Sequence, residues 1–75
     1  MDRAALDRTL LAAHDDNDLE ALVRLYRRAG EQDLAAGHVD QGCFYLVHAY
    51  IYALDCGHTD AGELREILVT YGREE

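Results

Sequence analysis

Two stretches of the chain repeat one pattern twenty residues apart: Gly37-His38-Val39-Asp40-Gln41-Gly42 and Gly57-His58-Thr59-Asp60-Ala61-Gly62, both G-H-x-D-x-G. Each reads as a helix stop, a tight turn and an acidic helix start. Glycine accepts the left-handed conformation that ends a helix, and a carboxylate suits the positive end of the next helix dipole. Twenty residues is one helix plus one turn, so the chain repeats a helix–turn unit. Two such tight turns force antiparallel neighbours. Composition agrees. Proline and serine are absent and leucine, alanine, glutamate and arginine are abundant, a bias that favours helix. Valine, isoleucine and threonine are few and never alternate with polar residues, so strand signals are missing. The expected fold is all-α, four antiparallel helices in one domain spanning residues 1–75. Its length is near the lower limit for a self-sufficient core, but 49% of the residues are hydrophobic.

The first helix is expected from Asp2 to His14, with Leu6, Thr9, Leu10 and Ala13 on one face and Leu11 outside that stripe. Asn17 is expected to cap the second, with Glu20 completing a capping-box pattern. The second helix, Asp18 to Ala36, places Leu19, Leu22, Val23, Tyr26, Ala29 and Gly30 on one side. Glu20, Arg24, Arg27, Arg28 and Glu31 take the other. Gly37 ends it. Asp33 is aimed toward the core side, where an unpaired carboxylate is costly, so it is expected at the rim of the Gly37 turn. The third helix, Asp40 to Cys56, carries two stripes. Cys43, Phe44, Val47, Tyr50, Ile51 and Leu54 make a broad apolar face, and Gly42, Ala49 and Ala53 beside Leu46 make a small-residue stripe. A helix apolar on two sides is a central one. Val47, Leu46, Ala49, Ile51 and Leu54 are expected to be inaccessible. Thr59 is expected to cap the fourth helix, whose stripe is Leu64, Ile67, Leu68 and Tyr71, closed by Gly72.

The stretch from Val23 to Cys56 resembles a tetratricopeptide repeat, whose period is 34 residues. Tyr26 falls at that motif's tryptophan position, Ala29 at its leucine and Gly30 at its glycine. Gly42 takes the small-residue position, Leu46 the phenylalanine and Ala49 the second alanine. Asp33 stands where the motif has tyrosine and Leu54 where it has proline. The resemblance implies a stack of antiparallel helices, with the first and fourth as half-repeats. It also implies that ligands lie along a groove lined by the second and fourth helices.

A formal net charge of −8 disfavours nucleic acid and anionic membrane surfaces, which need a basic footprint. No apolar run approaches the ~20 residues of a membrane span. Met1-Asp2 opens no signal peptide, and cytoplasmic residence is expected. Cys43 and Cys56 fall on one helix, roughly 20 Å apart at its rise per residue. They are therefore expected as free thiols, Cys56 the more accessible.

The candidate partner-binding residues form two groups. Arg24, Arg27, Arg28 and Glu31 are the one concentration of positive charge, suited to an acidic segment or a chain terminus. Their alternative is solubilising i,i+4 pairing of Glu20 with Arg24 and Arg27 with Glu31, and both Arg24 and Arg27 are expected to be dispensable for the fold. Tyr45, His48 and Tyr52 share one side of the third helix, and tyrosine is enriched at interfaces; the alternatives for this patch are a proton-transfer site and a merely solvated strip. The expected function is a small interaction or adaptor module binding a peptide or partner protein, with a homodimer as one form. The alternative is a small metal-binding protein or enzyme using the His/Cys/Tyr set. His38, Cys43, His48, Cys56 and His58 lack the paired spacing of a zinc site. Asp16 to Glu20 resembles the start of a calcium loop, but Ala21 and Arg27 stand where glycine and glutamate belong. No catalytic residue, metal or cofactor is expected.

Overall fold

Helices follow one another without interruption in the computed structural model, which describes residues 3–73: α1 (Arg3–Asp15), α2 (Leu19–Ala35), α3 (Val39–Cys56) and α4 (Ala61–Thr70). Among the described residues there is no strand. The expected start at Asp2 lies outside the described residues. Each helix packs on its neighbours in sequence, α1 on α2, α2 on α3 and α3 on α4. The resulting body is flat, with Cα extents of 31 × 28 × 13 Å.

All four helices end alike. Backbone amides reach back from Asp18 to Ala13, His38 to Asp33, His58 to Ala53 and Arg73 to Leu68 at 2.8–2.9 Å. The residue before each donor has positive φ: Asn17 (53°), Gly37 (85°), Gly57 (67°) and Gly72 (73°). This is the Schellman closure, with asparagine the accepted substitute for glycine. Asn17 therefore ends α1 rather than capping α2. The cap is Asp18, whose Oδ1 accepts from the Ala21 amide at 3.1 Å. Thr59 does not cap α4 either. Asp60 holds that position, and its amide donates to His58 Nδ1 at 3.0 Å.

The same closure explains Asp33. It is buried, not at the rim. A Schellman turn normally brings together two apolar side chains at these positions. Here they are Asp33 and His38, whose Oδ1 and Nδ1 lie 3.7 Å apart.

Two apolar clusters flank the α2–α3 hairpin. Leu6, Leu10 and Ala13 of α1 meet Leu22 and Ala29 of α2. Val23 meets Cys43, Leu46, Ala49 and Ala53 of α3 and Leu64 and Leu68 of α4. Burying each leucine stabilises the fold by ~1.5–3 kcal/mol. The hairpin closes where Gly30 faces Gly42. A Cβ on either would fall 2.9 Å from the other's carbonyl oxygen, so only glycine lets the backbones approach this far.

That approach decides the orientation of α3. Its small-residue stripe, with Leu46 at its centre, is the buried one. Of the broad apolar face only Cys43 is buried; Val47 and Tyr50 are half-buried, and Phe44, Ile51 and Leu54 are 59%, 50% and 57% exposed. Phe44 and Ile51 sit roughly 140–160° around the helix from Leu46, at 3.6 residues per turn. They cannot enter a seam built on glycine contact. Tyr71 likewise lies beyond the last turn of α4 and is exposed.

Candidate functional site

An aromatic cluster spans α1, α2 and α3, with Tyr26 at its hub. The hairpin sets Tyr26 of α2 opposite the side of α3 that carries Tyr45, His48 and Tyr52. Its ring stacks against His48 (centroids 5.2 Å, 25° between planes) and Tyr52 (5.8 Å, 22°), and lies 6.1 Å from Tyr45. His14, in the last turn of α1, meets Tyr52 and Tyr26 edge-on, and its Nε2 is 3.2 Å from the Tyr26 hydroxyl. Phe44 extends the cluster outward, 4.5 Å from His48. Edge-to-face and offset-stacked rings at these separations attract one another beyond their area burial.

The cluster is half in water. Tyr26, Tyr45, His48 and Tyr52 are half-buried, whereas His14 and Phe44 are exposed. His48 Nδ1–H donates to the Phe44 carbonyl at 2.9 Å, which leaves Nε2 as its basic nitrogen. Burial raises the Tyr26 phenol above its ordinary value, and negative charge on Tyr52 and Tyr45 would raise it further. The cluster thus presents apolar ring faces together with polar ring atoms on one side of the hairpin. The expected Tyr45-His48-Tyr52 group is gathered as its spacing implies. Helical spacing points Tyr26 and Phe44 to packing and gives His14 no role. Their common signal is an aromatic ring at each of these positions, and only the tertiary packing brings them together.

The arginine group is not gathered in the expected way. Arg24 pairs with Glu20 at 3.5 Å and is exposed, as is Arg28. Arg27 is committed elsewhere. It contacts Glu31 at 2.6 Å, Glu63 at 2.8 Å and Asp60 at 3.0 Å, so it ties α2 to the start of α4. Hydrogen bonds donated to Glu31 and then to Glu63 hold its pKa above the ordinary guanidinium value. One cation there offsets three carboxylates, so Arg27 does not stand free on the side opposite the core. An open groove of about 370 Å³ runs between α2 and α4, lined by Arg27, Glu63, Glu66, Ile67 and Thr70.

Cys43 is buried, Cys56 is exposed, and both are free thiols. Among the described residues, no three His, Cys, Asp or Glu side chains are grouped so as to hold a metal ion, and no helix is long and apolar enough to cross a membrane. Compared with known protein families, curated proteins and solved structures, the chain finds no match in any of the three.

Proposed function

We propose that the protein is a small interaction module that holds a partner protein or peptide against the aromatic face of α2 and α3. The observation that supports this reading is the Tyr26-centred cluster itself. It contains four half-buried rings and two exposed ones on adjoining helices, a concentration that a fold gains little from leaving in water. Tyrosine supplies a large, rigid contact area at low entropic cost and a hydroxyl to satisfy the partner's polar groups.

The tetratricopeptide resemblance belongs to the same reading. Gly30, Gly42, Leu46 and Ala49, at four of that motif's packing positions, are buried between α2 and α3, and Ala29 is buried against α1. The resemblance would put the ligand in the α2–α4 groove. Arg27's three carboxylate contacts favour the aromatic face instead, because the arginine is no longer available to an acidic segment.

The test compares immobilised protein with two variants, Tyr45→Ala/Tyr52→Ala and Arg24→Ala/Arg28→Ala, each checked for native helicity. A partner retained stoichiometrically from the source cell should be lost with the tyrosine variant and kept with the arginine variant. The opposite pattern would return the site to the α2–α4 side.

A further inference from the structure

Phe44, Val47, Ile51 and Leu54 follow one another at spacings of three, four and three, the a and d positions of a two-heptad seam. Leu46, Ala49 and Ala53 are the side chains that α3 buries toward α2 and α4, and Val47 packs half-buried on that core, so the seam shows outward chiefly Phe44, Ile51 and Leu54. Its exposed apolar surface is on the order of 350 Å², the size of the largest apolar patch on a typical monomer, which is often functional.

We infer that this seam is covered by a second copy of the chain, α3 against α3 in antiparallel register about a twofold axis. The inference rests on the reading of the protein as an interaction module and names one of its partners. Three features select this occupant. First, the seam is complementary to itself when reversed. Phe44 lies opposite the second copy's Leu54, and Val47 opposite its Ile51, pairing a large residue with a branched one in every layer. Second, the antiparallel arrangement keeps like charges apart. Arg73 is ion-paired with Asp40 at the N-terminal end of α3, and Asp55 is exposed at the other. Antiparallel, that neutral pair faces the second copy's Asp55, whereas a parallel arrangement sets Asp55 against Asp55. The antiparallel arrangement also opposes the two helix dipoles, and it is the isologous geometry most common among oligomers. Third, the area fits. Doubled by symmetry and enlarged by its polar rim, the contact reaches about 1,000 Å², the lower bound for a specific interface. The dimer is accordingly weak, with dissociation in the micromolar range.

The charge supplies a signature. Two bodies of net charge −8 repel at long range, and salt screens this repulsion. The dimer therefore tightens as salt rises, whereas a cationic partner on the same seam would be released.

Sedimentation equilibrium of the full chain under reducing conditions, from about 5 to 500 μM to bracket a micromolar constant, tests this at low and high salt. The mass should rise from 8.4 kDa toward twice that value, further at high salt. Ile51→Glu should weaken association at least tenfold with helicity and melting temperature retained. If that variant loses helicity, Leu54→Gln is read in the same way. A concentration-independent 8.4 kDa species, a dimer unmoved by the folded variant, or a dimer dissolved by salt would each overturn the inference. A strict monomer that still captures its partner through Tyr45 and Tyr52 would overturn it and leave the interaction module standing.

Discussion

Replacing Gly42 with alanine should destabilise the protein, although alanine is the better helix former. A Cβ there would lie 2.9 Å from the Gly30 carbonyl oxygen and 2.9 Å from both Cγ and Cδ2 of Leu34. Ordinary non-bonded contact is ~3.5–4.0 Å, so the shortfall exceeds half an ångström. Leu34 is half-buried and can rotate; the Gly30 carbonyl belongs to the helix and cannot. The two helices must therefore separate, which loosens the packing around Leu46. Overpacking of this kind costs ~1–3 kcal/mol, and collision with backbone puts it in the upper half of that range. Helix propensity returns ~0.8–1.0 kcal/mol. The net loss is ~1–2 kcal/mol, or roughly 5–15 °C in melting temperature for a domain of this size. Gly30→Ala meets the mirror-image obstruction, 2.7 Å from Leu46 Cγ. Because both glycines share one gap, the double variant should cost less than the sum. Gly62→Ala is the control. It is exposed on α4 with nothing within 4 Å, so it should stabilise by up to ~1 kcal/mol. Thermal unfolding followed by helical circular dichroism reads all four. If Gly42→Ala raised the melting temperature as Gly62→Ala does, α2 and α3 would not meet at these glycines.

Arg27→Ala should cost ~1–2 kcal/mol in denaturant unfolding, since it strands three carboxylates; the figure is held down because Glu31 and Glu63 are 50% and 65% exposed. Arg24→Ala should change stability by less than ~0.5 kcal/mol, and equal effects of the two would remove the α2–α4 tie. Tyr26 gives up its proton later in the folded chain than in the unfolded one. Its contribution is thus complete below the unfolded phenol value of about 10 and declines as pH rises from there through the higher folded value. Urea midpoints across that window should fall less steeply for Tyr26→Phe, and parallel slopes would count against the buried phenol. Under native conditions Cys56 should react with a thiol reagent at once and Cys43 only as α3 opens; simultaneous reaction would mean that the α3–α4 seam is loose.

What was legible in the sequence was local. Gly37, Gly57 and Gly72 marked helix ends because a positive φ is a property of one residue and its immediate neighbours. The stripes of α1 and α2 were legible because each offers a single apolar face. The same kind of signal was present but misassigned at Asn17, where asparagine does glycine's work and Asp18 takes the cap. The sequence could not choose between the two stripes of α3, since both have helical period and only one can face α2. Tertiary structure chose the poorer-looking one. Gly30 on α2 presents bare backbone, and Gly42 with Ala49 matches it where Phe44 and Ile51 would stand off. From that choice follow the exposed seam, the meeting of Tyr26 with His48 and Tyr52, and the reach of Arg27 to α4. Each depends on the shape of a neighbouring helix, a quantity that no pattern within a single helix encodes.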